Sequence, residues 1–233
     1  MISDFLGPAE WEAVRLSVRV SLVATIASLP LGLFVAYALA RWRFPGHGLL
    51  NGLVLLPLVL PPVVTGYLLL ILFGQQGVVG AWLAETFGIV LAFRWTGAAV
   101  AAAVMAFPLL VRALRLAIEA VDPGLEEAAA TLGASRWRIF WTVTLPLIWP
   151  GLLAGIVLAF AKAMGEFGAT ITFAAAIPGE TLTIPSAIYG ALQVPGQDGV
   201  VLRLAVLSIV IAMAALAVSE VLARRAARQV AGG

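Results

Sequence analysis

Long apolar runs constrain this chain more than any other feature. Five stretches, at residues 16–39, 49–73, 97–118, 147–164 and 201–223, come close to or exceed the roughly 20 residues that an α-helix needs to cross a bilayer. Apolar residues make up 62% of the 233 and charged residues 11%, more apolar surface than a soluble domain of this size can cover. Backbone groups inside a bilayer find no water, so runs of this length cross it as helices. The expected fold is all-α: a polytopic integral membrane helical bundle with about five transmembrane helices.

Local signals refine that outline. Gly7-Pro8-Ala9-Glu10-Trp11-Glu12 reads as a helix start, with proline at a first helical position and acids at the positive dipole end. The second run contains Pro57, Pro61 and Pro62 and is read as one kinked span, because bundle neighbours can satisfy the freed carbonyls. Residues 75–93 hold Glu85 and several glycines and read as an interfacial helix rather than a sixth span. Residues 167–195 mix threonine, glycine and proline with short apolar runs, the pattern of a partly re-entrant loop with a gate helix. The acidic start Met1-Ile2-Ser3-Asp4-Phe5 lacks the positive flank of a secretory signal, so the first run is expected to remain as a span.

Arginine placement sets the orientation. With five spans, one side collects Arg41 and Arg43, then Arg112, Arg115, Arg136 and Arg138, and finally Arg224, Arg225 and Arg228. The other side has Arg94, with Arg15, Arg19 and Arg203 near helix ends. The amino terminus is therefore expected outside and the carboxyl terminus in the cytoplasm. Trp42, Trp137 and Trp141 near the inner edge, and Trp11, Trp82 and Trp95 near the outer one, fit an aromatic belt.

Several chemistries are excluded. Cysteine is absent and His47 is the only histidine, which removes thiol chemistry and His-pair metal sites. The only lysine, Lys162, follows Ala161, so no Gly-Lys-Ser/Thr phosphate loop exists and the chain cannot hydrolyse ATP by that route. No span carries a nucleophile–base pair, so no catalytic residue is assigned. The pI near 9.5 reflects arginines at membrane edges, without a basic face or motif for nucleic acid.

Residues 119–146 interrupt the apolar pattern. Asp122 and Pro123 suit the N-cap and first position of a short helix, Glu126 and Glu127 lie near its positive end, and Gly133 suits a left-handed C-cap. Ser135 can cap the next helix. Ala128, Ala129, Ala130 and Gly133 give a small-residue face, and Arg136 and Arg138 can pair with carboxylates or lipid phosphates.

The ordered set Glu127-Ala128-Ala129, Gly133 and Leu145-Pro146 resembles the EAA loop of importer-type ABC permeases, on which a separate ATPase docks in that family. Val143 stands where isoleucine is usual, a conservative departure. Downstream, Met164-Gly165-Glu166-Phe167-Gly168-Ala169-Thr170 is similar to a segment shared by permeases for molybdate and sulfate. Ile177-Pro178-Gly179-Glu180-Thr181 and Thr183-Ile184-Pro185-Ser186-Ala187-Ile188-Tyr189 resemble the molybdate branch. The resemblance implies a type I transmembrane domain over residues 11–222, with the coupling loop at 119–146 and a short basic cytoplasmic tail at 223–233, too short for a regulatory domain. It further implies a homodimer, two ABC ATPase subunits and an extracytoplasmic binding protein that delivers molybdate or tungstate. The setting would be the bacterial cytoplasmic (inner) membrane and its lipid, with no cofactor. A sulfate or thiosulfate permease is the near alternative. An ion-gradient-driven transporter is disfavoured, for want of a convincing inverted repeat and with too few intramembrane acids for a proton relay.

The residues themselves leave the substrate route open. Lys162 lies about 20 Å along the fourth span from Trp149, and Glu166 is one turn further on the same face. An ionisable pair at that depth either attracts and restrains an anion or locks one helix to its neighbour. Thr170, Thr172, Thr181 and Thr183 can donate to oxyanion oxygens or pack helices together, and Gly165 and Gly168 allow close approach or a hinge. Tyr189 falls in the expected gate.

Overall fold

The computed structural model describes residues 6–231, with side chains through Val221 except Ser219. The acidic start at residues 1–5 and the side chains of Arg224, Arg225 and Arg228 lie outside the described residues.

The helices in chain order are α1 (Pro8–Arg41), α2 (His47–Val59), α3 (Pro62–Phe73), α4 (Val78–Phe87), α5 (Trp95–Glu119), α6 (Pro123–Thr131), α7 (Arg136–Ile139), α8 (Leu145–Met164), α9 (Gly168–Ala174), α10 (Ile184–Leu192) and α11 (Asp198–Ala231). A π-helical turn, Phe140–Thr144, fuses α7 to α8. No strand occurs among the described residues. Among the described residues, four helical stretches are long and apolar enough to cross a membrane: α1, α5, the fused Arg136–Met164 and the Asp198–Val218 part of α11. A fifth crossing is available if the bent pair α2–α3 counts as one span.

That pair corrects the expectation of a single kinked helix over 49–73. The axes of α2 and α3 turn by 114°. A residue before proline is pushed out of the helical region, and here two such residues are adjacent. Leu60 precedes Pro61 and takes ψ 144°, and Pro61 precedes Pro62 and takes ψ 133°. Pro57 lies inside α2, one turn before the break.

Because α4 is only 10 residues long, it reaches about 15 Å and does not cross a bilayer. The backbone of α11 stays helical to Ala231, so residues 223–231 of the expected tail continue the last helix.

Small residues draw the helices together around α5, which α1, α8 and α9 flank. Ala98, Ala99, Ala101, Ala102 and Ala106 are fully buried along it. On α8, Gly151 and Gly155 face Ala117 and Ala113 of α5, and on α1 Gly32 faces Leu110. Where lipid removes the hydrophobic drive between helices, such close backbone approach supplies dispersion contacts instead. The buried hydroxyls of Thr25 and Ser28 on α1 donate to carbonyls one turn back, so they cost little in an apolar setting.

Contacts sort the bundle into two ends. At one, Glu10 of α1 pairs with Arg203 of α11 at 2.9 Å, and the Arg19 guanidinium lies 3.8 Å over the Trp95 ring. At the other, Arg41 donates to the Val121 carbonyl and Arg115 donates to Asn51. The α2–α3 pair carries the chain from the second end towards the first, since α2 begins beside Arg115 and α3 packs on α9.

Candidate functional site

The charged interruption folds as its capping residues dictate. The Asp122 carboxylate accepts from the Gly124 N–H at 2.8 Å, Pro123 occupies the first helical position, and α6 runs for nine residues. Gly133 then takes φ +83°, the left-handed conformation that releases the chain from the helix. Ser135 accepts from the Arg138 N–H and starts α7.

The two glutamates of α6 diverge. Glu127 is exposed, and so are Ala128, Gly133, Ser135, Arg136 and the apolar Leu125, Leu132 and Trp137, the last two at 87% and 75%. Glu126 instead turns into the bundle. Its Oε1 accepts from the buried Thr144 hydroxyl at 2.7 Å, and its Oε2 faces Arg41 Nε at 3.3 Å. Arg41 also donates to Val121 at 3.0 Å, and Tyr37, one turn earlier, meets Phe140 edge-on at 5.7 Å. The end of α1, the loop and the π-turn are thus bound into one unit. Leu145 and Pro146 open α8 directly after that turn. The result is an exposed surface of small and apolar residues, held rigidly to two spans.

The second set of expected residues lies at the opposite end. Lys162 Nζ donates to Glu166 at 2.6 Å, and the Glu166 side chain is 2% exposed. Its other oxygen accepts from the Ala169 N–H at 3.0 Å, which caps the start of α9. The Thr170 hydroxyl donates to the Glu166 and Phe167 carbonyls, and that of Thr172 to the Gly168 carbonyl. Thr181 accepts from Ile177 and donates to Ala175, while Thr183 bonds Ser186. Gly168 lies against Pro62 of α3, where an added Cβ would meet the proline Cβ at 2.7 Å. A Cβ on Gly165 would meet only the Ala161 carbonyl, at 3.8 Å. Half-exposed Tyr189 lies 5.0 Å from the Phe167 ring. Lys162, Glu166 and Thr170 come together; Tyr189 joins them only through Phe167.

Residues 28–228 match the family described as the binding-protein-dependent transport system inner membrane component. The chain belongs to that family. It is 58% identical to the molybdenum transport system permease protein ModB of Escherichia coli (strain K12), covering 94% of this chain and 96% of the relative. It is 50% identical to ModB of Haemophilus influenzae over 96% of this chain and 98% of that one. The sulfate transport system permease protein CysT of Escherichia coli is 41% identical over 80% of this chain and 67% of its own length. Among solved structures, a bacterial ABC transporter that imports the acidic polysaccharide alginate superposes with a TM-score of 0.76. The two are 18% identical, with coverage of 96% and 82%. The methionine transporter MetNI gives 0.69 at 16% identity, covering 94% of both chains. These distant likenesses establish the fold, that of an ABC importer permease.

Within this family fold, sequence reasoning placed Val121 and Thr144 in the loop but missed their contacts, Val121 with Arg41 and Thr144 with Glu126, and missed Arg41 as the loop's partner on α1. Arg41 was legible only as an inner-edge cation, because its partner is remote in sequence. An acid near a short helix's N-terminus predicts a dipole contact, and nothing local reveals that Glu126 reaches the first span.

Proposed function

We propose that this chain is the permease subunit of a binding-protein-dependent ABC importer that moves molybdate, and tungstate with it, across the bacterial cytoplasmic membrane. The observation that carries the substrate is the contrast between 58% identity to a molybdenum permease over nearly the whole chain and 41% to a sulfate permease over less of it. The subunit is non-catalytic: a homodimer works with two ATPase subunits, which hydrolyse ATP, and an extracytoplasmic binding protein hands over the anion. The transmembrane domain covers residues 11–222, with the amino terminus outside and the loop and carboxyl end in the cytoplasm.

The exposed face of Glu127, Ala128, Leu132 and Gly133 receives the ATPase. Movement of that docked helix passes to α1 through Glu126 and Arg41, and to α8 through Thr144 and the π-turn. Rigid-body motion of the spans then alternates access, with the segment from Gly165 to Tyr189 as gate. Lys162 is matched by Glu166, so its part is to hold α8 against α9 while keeping the local field near neutral for a passing dianion.

The test is labelled molybdate uptake in cells lacking their own permease, with this chain supplied beside its ATPase and binding protein. Competition by excess tungstate and not by excess sulfate is expected. Equal competition by sulfate would reassign the substrate.

A further inference from the structure

At the end of the bundle that carries the loop, a cleft opens between α1, α2 and α5. It consists of two adjoining cavities of about 340 and 350 Å³ that share Leu39, Arg115 and Glu119 as walls. One is lined by Arg41, Arg43 and His47, and the other by Asn51 and Arg112. The volume suits a small hydrated ligand.

The charges in it are unevenly spent. Arg41 is committed to Glu126 and Val121. Arg115 is held by Glu119 at 2.7 Å and by Asn51 at 3.2 Å, which fixes its guanidinium plane along the wall. Arg43, just beyond α1, and Arg112, on α5, have no hydrogen bond or ion pair among the described residues, and both are exposed and line the cleft. Glu119, the one carboxylate in the lining, is taken by Arg115. His47 donates through Nε2 to the Leu39 carbonyl at 2.9 Å, so that N–H is already used. Arg112 lies two turns inside the end of α5, about 10 Å from Glu119. An arginine at that depth in a span is costly unless it meets an anion or water.

We propose that this cleft binds a tetrahedral oxyanion, gripped by Arg112 and Arg43 with Arg115 as the fixed back wall. Guanidinium forks match two oxygens of such a group at once, which a lysine cannot do. Two sources carry that chemistry at this place: the phosphate of an anionic lipid seated at the bilayer edge, and the transported dianion on its way out. The second rests on the transport reading above, and the first does not.

The experiment uses the assembled permease–ATPase complex in phosphatidylcholine nanodiscs, without binding protein. One arm adds phosphatidylglycerol and measures lipid retained by native mass spectrometry. The other measures radiolabelled tungstate by equilibrium dialysis. At least one probe should bind the wild-type complex, and Arg43→Gln with Arg112→Gln should weaken it about tenfold or more. Arg112→Lys should keep part of the binding. Retained phosphatidylglycerol assigns the lipid; bound tungstate assigns the transported anion. If the double variant does not assemble, Arg43→Gln alone, beyond the end of α1, provides the comparison. No binding of either probe to the wild type, or binding unchanged in the variants, overturns the proposal. Failure of the transport reading shows separately, in the uptake competition, and leaves the lipid arm standing.

Discussion

Glu126 of α6 and Arg41 at the end of α1 meet at 3.3 Å, with 18% and 16% of their side chains exposed. A carboxylate in the loop between α5 and α8 thereby reaches the first span, about 85 residues earlier in the chain. Glu126→Gln keeps the shape and the Thr144 bond but leaves the largely buried Arg41 without its counter-charge. The loss should be on the order of 2 kcal/mol, and the purified complex should melt several degrees lower. Arg41→Gln together with Glu126→Gln should cost less than the two singles summed, which a double-mutant cycle on thermal melts would read. Strict additivity would mean that the two groups do not interact.

Leu132 projects from the end of α6 at 87% exposure. A charge there costs the isolated permease little, within about 0.5 kcal/mol. Leu132→Asp should leave expression and melting unchanged and abolish copurification of the ATPase. Glu127→Ala should weaken copurification less, because the small-residue face remains. Retention of the ATPase by Leu132→Asp would place the docking surface elsewhere.

Lys162 and Glu166 form a pair whose members are unequal. Glu166 also caps α9 through Ala169, so Glu166→Ala removes two contacts and strands the ammonium, while Lys162→Met removes one. Uptake should fall further in the first than in the second. The double variant Lys162→Met with Glu166→Gln should recover to within a few-fold of wild type, since no lone charge is left. Uptake abolished by the double variant, with assembly intact, would make the lysine an essential anion contact.

Gly66 lies where α3 crosses α9. A Cβ there would meet the Ala169 carbonyl at 2.6 Å and the Thr172 Cβ at 2.8 Å. Gly66→Ala must push the two helices apart, at a cost of about 1–3 kcal/mol. Gly190→Ala on α10 meets nothing within 4 Å and serves as the control. Loss of folded complex in the first and none in the second is the expected pattern, read by size-exclusion yield.

The sequence was most informative where local chemistry decides the structure. Asp122, Pro123 and Gly133 marked the ends of α6, and apolar length marked α1, α5, α8 and α11, because caps and periodicity act within one or two turns. The break at Pro61 was also written locally. Counting on bundle neighbours to satisfy the carbonyls freed by the prolines merged α2 with α3, although two consecutive residues before proline leave no helical path. Long-range pairing was not legible. Glu126 with Arg41, Asn51 with Arg115 and Gly66 with Ala169 each depend on which spans become neighbours. Composition says that small residues permit close approach, not to whom. The cleft around Arg112 belongs to this group as well, since its walls come from three helices.

The π-turn at Phe140–Thr144 has a consequence for phase. An extra residue in one turn sets everything beyond it back by about 100° around the helix axis relative to an uninterrupted α-helix. It thereby acts as an angular offset between two gears on one shaft. Arg136 and Trp137 point where they do because the offset is present, and Ile148 and Leu152 still face the core. Deleting a single residue from the turn would keep composition and hydropathy almost unchanged, yet it would rotate the exposed face of Arg136 and Trp137 away from its present bearing.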